Sequence, residues 1–264
     1  MSIPLYSTID ASDLDRTVWR YLTFSKYVSL LTYQAIWFSK LNILVDEFEG
    51  AMPSPVDALM TEEHLKLRSV LPAELHDQLH TMNAKNVADG KELTVVNCWL
   101  LAEEESPAMW REYAGDEGVA IKSTVRLLSE NISCDPGRSH IGKVRYVDLS
   151  THVMNAYEAS QAHHRAFLKR LEFGGEKELR IATMSLRGPM CVGMDGVPLT
   201  PADYNGIGMN NFKYPGLYIR ANLPKLITGT VLSPNASAWF ELLVKRMVSL
   251  SKVGAPVMRS SLDN

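Results

Sequence analysis

The chain has 264 residues, 46% of them hydrophobic and 22% charged, with a net charge of −3. That length buries a sizeable core in one large domain or two small ones, and the charge balance excludes an overall basic field, so nucleic acid could be held only by a local patch. Cys98, Cys134 and Cys191 lie far apart with no Cys-X-X-Cys pair, which excludes a cysteine zinc motif, gives no sign of a disulfide framework and fits a reduced, cytoplasmic setting.

The N-terminal stretch MSIPLYSTIDASDLD has no charged segment followed by an apolar run, so it does not read as a signal peptide. No apolar run approaches the ~20 residues of a membrane span, and no membrane partner is expected. Residues 18–22 (Val-Trp-Arg-Tyr-Leu) read as a strand. Arg20 within it has two readings: a partner for an acid on a neighbouring strand, or a bidentate ligand for a phosphate. From Thr23 to Ile36, Tyr27, Leu30, Leu31 and Gln34–Ala35 follow a helical spacing, with Thr23 or Ser25 as N-cap. Ile36-Trp37-Phe38 reads as a second strand running into the acidic loop Asp46-Glu47-Phe48-Glu49-Gly50.

Residues 55–85 are polar and helical, interrupted at Pro72, and the region around 55–90 reads as a helical insertion. His76 and His80 there have the i, i+4 spacing of a zinc helix, but Asp77 replaces the usual Glu and no third ligand follows, so a solvated face is expected and no metal. Thr94–Leu101 is a buried strand by composition. Ser106–Tyr113 is a short helix with Pro107 in its first turn. Its Trp110 and Tyr113 either stack on a flat ring beside a cleft or belong to the core. Strands are expected at 118–122 and 141–147, and a long helix at 150–171 with Met154, Tyr157, His164 and Leu168 in register. Adjacent His163 and His164 would point apart on such a helix, a poor geometry for metal.

The densest pattern spans Phe167 to Thr183: a basic pair, Lys169-Arg170, then Gly174-Gly175, then Glu176-Lys177-Glu178-Leu179-Arg180-Ile181. Residues two apart share a strand face. Glu176, Glu178 and Arg180 are therefore expected on one face, with Leu179 and Ile181 turned into a core. Such a polar face either meets water or floors a cleft. A Gly/Pro-rich loop follows from Arg187 to Pro215, then strands at 217–221 and 227–232. Ser233-Pro234 reads as the start of a final helix that Gly254 closes. Gly206-Ile-Gly208-Met-Asn-Asn211 lacks the third glycine of a dinucleotide fingerprint. Neither a Walker loop nor a Gly-X-Ser-X-Gly elbow is present, which disfavours P-loop hydrolysis and common serine-hydrolase chemistry. The elements sum to a single α+β domain over 1–264.

Several segments resemble a bacterial family catalogued as a domain of unknown function, some members of which are linked to phage defence. They are Trp19–Leu22, Asp46–Gly50, Asn97-Cys98-Trp99, Met109-Trp110 with Tyr113, Gly118–Ile121, Val144–Tyr146, Phe173–Arg180 and Ile227–Pro234, in order along nearly the whole chain. Their order is similar to that of the ADP-ribosyltransferase fold, which implies a split β-sheet core with flanking helices and the helical insertion. The resemblance implies an NAD-dependent mono-ADP-ribosyltransferase, a toxin-like effector of phage defence. NAD would be its substrate and RNA, DNA or a protein its acceptor, with an antitoxin or phage trigger as further partners. Carried over residue by residue, Glu178 would stabilise the ribosyl cation and Glu176 would orient the acceptor. Arg20 would hold the pyrophosphate, with Tyr21 and Arg180 also at the cofactor, and Tyr113 or Trp110 would stack on nicotinamide. The middle position falls to Ser123, in a partial Ser-Thr match, or to Tyr113. The rival readings are a non-enzymatic sensor that binds a nucleotide or partner, and a metal-dependent nuclease using Glu176, Glu178 and Lys169.

Overall fold

Thr23 ends one element and starts the next. Strand β1 (Thr17–Thr23) runs directly into helix α1 (Phe24–Tyr33), because Thr23 keeps an extended backbone while its hydroxyl accepts the Lys26 amide as N-cap. Gln34, in the left-handed region at φ 50°, turns the chain into β2 (Ala35–Lys40). The computed structural model describes residues 2–56, 90–154, 158, 162–184, 191–192 and 215–263, with scattered positions between 62 and 81. The expected insertion at 55–90 and the loop at 187–215 therefore lie largely outside the described residues.

Next comes β3 (Val95–Leu101), then the one-turn helix α2 (Pro107–Met109), capped by Ser106 and extended by a π-helical turn over Trp110–Ala114. Strand β4 (Gly118–Thr124) leads into α3 (Val125–Asn131), with Thr124 as N-cap. The expected strand at 141–147 is two strands, β5 (Ser139–Lys143) and β6 (Arg145–Val147), and they belong to different sheets. Of the expected helix at 150–171, Glu158 and α4 (Ala162–Arg165) are helical, 155–157 and 159–161 lie outside the described residues, and β7 (Leu168–Arg170) replaces its end. Strand β7 pairs in parallel with β6, so the segment gains sheet hydrogen bonds that helical spacing alone does not reveal.

A 3₁₀ turn, Leu171–Glu176, precedes β8 (Glu178–Thr183). The chain continues through β9 (Cys191–Val192), β10 (Gly216–Arg220), α5 (Leu223–Leu226), β11 (Gly229–Leu232), α6 (Ala238–Ser251) and β12 (Val257–Met258). Helix α6 is capped by Ser237 rather than Ser233, whose hydroxyl is engaged with the Asp116 carbonyl. It ends on left-handed Lys252, before Gly254.

The fold is α+β: a ten-stranded mixed sheet flanked by helices. Strand β3 organises it. One edge of β3 pairs with β8 from Val95 to Leu100. The other edge is shared. Strand β1 takes Leu100 and Leu101, β2 takes Val95 and Val96, and Asn97–Trp99 between them pairs with neither. Strands β1 and β2 thus diverge from β3 and leave a gap in the sheet.

Alternation sorts the side chains. Val18, Leu22, Trp99, Leu179 and Ile181 pack under α1, α3 and α6 in the main core. On the opposite face Trp19, Tyr21 and Leu100 pack with Trp110, and Val96 and Ala182 with Tyr6 and Phe167. Each such aliphatic side chain removed from water contributes roughly 1.5–3 kcal/mol. Among the described residues no helix is long and apolar enough to cross a membrane.

Candidate functional site

The gap between β1 and β2 opens into a cleft of about 830 Å³. Its walls include several aromatic rings: Trp19 and Tyr21 from β1, Trp37 from β2, Tyr113, Phe173 and Tyr218. Two charged regions line it.

The first lies on β8. Glu178 and Arg180 share a face, as alternation requires, while Leu179 and Ile181 enter the core. Arg180 is 1% exposed and all five of its N–H groups are engaged. Nε and Nη2 donate to the two oxygens of Glu178 at 2.8 and 2.9 Å; Nη1 and Nη2 donate to Glu49 at 2.8 and 3.2 Å; Nη1 also donates to the Ala166 carbonyl at 2.6 Å. The guanidinium therefore has no donor left for a ligand. Lys169 Nζ lies 2.5 Å from Glu176, 3.4 Å from Glu49 and 3.5 Å from Glu178. Three carboxylates meet two cations, so the cluster carries one net negative charge.

Glu176 is not on the strand. It ends the 3₁₀ turn, and Lys177, left-handed at φ 44°, breaks the alternation before Glu178 begins β8. The two glutamates meet through Lys169 instead. Burial alone would raise the Glu178 carboxyl, but Arg180 and Lys169 outweigh it and hold the group below the usual range. Burial raises Glu176 above its ordinary value despite Lys169. Glu178 is thus a fixed anion, and Glu176 is the carboxyl readier to take a proton.

Tyr113 stands beside these acids, 43% exposed and lining the cleft. Burial of its hydroxyl, with Glu176 and Glu178 nearby, pushes it up to about 12. Cys98 of β3 lies on the cleft floor, its thiol raised by burial and by Glu178. Tyr146 donor geometry is reversed: its hydroxyl accepts the Glu178 amide at 2.9 Å and fixes the start of β8.

The second charged region is Arg20. Its Nη2 donates to the Trp37 carbonyl at 3.1 Å, the same oxygen that Asn97 Nδ2 reaches at 2.8 Å, so two side chains bridge the gap in the sheet. Its Nη1 is buried without a hydrogen-bond partner. Burial lowers the guanidinium to about 10, so it stays charged at neutral pH. Lys26, Ser25 and Ser29 of α1 line the same end of the cleft.

The structure therefore brings Glu176, Glu178, Tyr113, Tyr21, Arg20 and Arg180 around one cavity. It does not bring Trp110 or Ser123 there. Trp110 is 3% exposed, packs edge-on against Tyr21 and donates to Glu105. Ser123 is buried on β4 and donates to the Leu226 carbonyl at 2.7 Å. Of the two candidates for the middle position, Tyr113 is the one in the cleft. Glu49 and Cys98 are cleft residues that residue-by-residue reading passed over. The acidic loop Asp46–Gly50 was the signal for Glu49; Cys98 lay in the matching segment Asn97-Cys98-Trp99, which carried no role for it. Among the described residues no group of three or more His, Cys, Asp or Glu side chains is arranged to hold a metal ion. No family model, curated protein or solved structure matches the chain.

Proposed function

We propose that the cleft binds NAD and cleaves its nicotinamide–ribose bond, transferring ADP-ribose to a macromolecular acceptor, on an ADP-ribosyltransferase-like split sheet. One observation carries the reading: a buried guanidinium with an unused N–H, Arg20, faces the same cavity as the fixed carboxylate Glu178. An anionic, ring-bearing ligand satisfies both ends. Its phosphates take the open donor of Arg20. Its ring lies against the aromatic wall near Tyr113. Cleavage then develops positive charge on the ribose, as in glycoside hydrolysis, beside the Glu178 carboxylate, whose negative charge stabilises it. Arg180 positions Glu178 rather than touching the ligand, and burial raises the Glu176 carboxyl above its ordinary value, which makes it the more basic group and suits it to receiving a proton from the acceptor. In the cell such an activity belongs to a growth-inhibiting effector of phage defence.

A second reading, a nucleotide-binding module without turnover, draws on a specific observation: both Glu178 oxygens are already committed to Arg180. One experiment separates the two. The protein is incubated with NAD, and both nicotinamide release and the NAD-induced shift in melting temperature are measured. Release supports transfer; a thermal shift without release supports binding alone; neither response refutes NAD as the ligand.

A further inference from the structure

Directly behind the charged wall of the cleft, three histidine rings are packed together. His140 comes from β5, opposite Ala182 of β8. His163 and His164 come from α4. The rings of His140 and His163 are parallel with centroids 4.8 Å apart, and His164 stands edge-on to both, 4.4 Å from His163 and 5.9 Å from His140. Tyr6 closes the cluster from the N-terminal segment, stacked on Phe167, its hydroxyl 3.5 Å from His164 Nδ1 and 3.4 Å from Glu158.

Of the charged neighbours among the described residues, Glu158 favours the protonated form of His164 and Arg145 opposes it, while burial and the packing of the rings on one another favour neutral rings. Arg145 of β6 donates to Glu158 at 3.3 Å and so occupies the nearby acid, and His152 lies beside this pair. Arg165 turns away to the Gly50 carbonyl at 3.2 Å. Four buried polar atoms without a hydrogen-bond partner gather here: His140 Nδ1, His163 Nε2, His152 Nε2 and Arg145 Nε. Burial and the mutual proximity of the rings push His163 down to about 4, and burial lowers His140 and His164 as well.

Segment 163–167 is also what holds the cleft wall. The Ala166 and Phe167 amides donate to the His163 and His164 carbonyls, the Ala166 carbonyl accepts from Arg180, and Arg165 ties to Gly50, next to Glu49. Lys169 follows two residues later. Any disturbance of the three rings is passed to the Arg180–Glu178–Glu49 cluster through these bonds.

We propose that the His140–His163–His164 cluster is an acid-sensitive latch, which keeps the charged wall of the cleft assembled at neutral pH and releases it on acidification. The sign follows from linkage. The imidazoles titrate near 6.5 when free and lower when packed. Between those values the opened segment binds more protons than the closed one. The latch is therefore complete above about pH 6.5 and is lost progressively as pH falls towards 4, with about a tenfold change in the opening equilibrium per pH unit for each differential proton. The proposal stands on packing and is independent of what the cleft binds.

The test is hydrogen exchange by mass spectrometry on the full chain at pH 7 and pH 5, corrected for intrinsic rate, comparing a peptide over 162–170 with one from α6. The wild type is expected to open at 162–170 at least about tenfold more at pH 5, relative to α6. The triple variant His140→Gln, His163→Gln, His164→Gln, which keeps polar groups that do not titrate in this range, is expected to lose that rise. Unchanged protection in the wild type, or a rise that persists in the variant, overturns the proposal. Should the variant not fold, imidazole Cε1–H titration of the wild type decides: three midpoints below 6.5 support the latch, and midpoints at or above 6.5 overturn it.

Discussion

The two arginines that face the cleft are in opposite states. Arg180 has every N–H accepted by the protein, by two carboxylates and a carbonyl. Arg20 makes one donation to the Trp37 carbonyl and holds Nη1 buried and unsatisfied. A saturated guanidinium is part of the architecture, because removing it strands its partners. An unsatisfied one is a standing attraction for an acceptor arriving from outside. In the sequence Arg20 stands between Trp19 and Tyr21 and Arg180 two residues after Glu178, but which of the two is saturated shows only in the packing.

The largest expected effect breaks the saturated end. Arg180→Met leaves the buried carboxylates of Glu178 and Glu49 with Lys169 as their remaining counter-charge, shared with Glu176, and is expected to lose on the order of 3–5 kcal/mol of stability in urea unfolding. A loss under about 1 kcal/mol would remove the architectural role. Glu178→Gln comes next: with the fold intact by circular dichroism, NAD cleavage is expected to drop about 10²–10⁴-fold, the range for losing one group that stabilises developing charge. An unchanged rate would leave Glu178 as an ion-pair partner only. At the open end, Arg20→Lys is expected to weaken NAD binding about tenfold by calorimetry with little change in melting, because an ammonium does not reproduce the planar fork. Lost stability with intact affinity would make Arg20 structural. The smallest effect sharpens the contrast from outside the cleft: Ser123→Ala, which removes the donor to the Leu226 carbonyl, is expected to cost about 1 kcal/mol and to leave NAD turnover untouched.

The alternation Glu178–Leu179–Arg180–Ile181 was legible because a strand enforces period two and a core face rewards it. Glu176 was misplaced onto that face because the pattern continues in letters where the backbone does not: Lys177 turns left-handed, a conformation unusual outside glycine. The long helix expected at 150–171 was inferred from spacing alone, yet Leu168–Arg170 pairs with Arg145–Val147, and tertiary pairing prevails over periodicity in so short a segment. Ser233 looked like a helix cap as much as Ser237 does; what separates them is the Asp116 carbonyl, which no local rule can see. The histidine cluster was invisible for the same reason, since His140 reaches His163 only once β5 lies against β8.

The shared edge of β3 also bears on how the chain reaches this structure. Strand β1 finds its partners about 80 to 100 residues away, at Leu100, Leu101 and along Gly118–Thr124, and β3 then waits for Glu178–Thr183 to cover its other side. Strand β1 is paired on both edges once β4 is formed, but β3 is not until β8 is in place. Folding dominated by such distant pairings is slow, and a chain interrupted before residue 178 would present β3, a hydrophobic strand with an open edge, to other copies of itself.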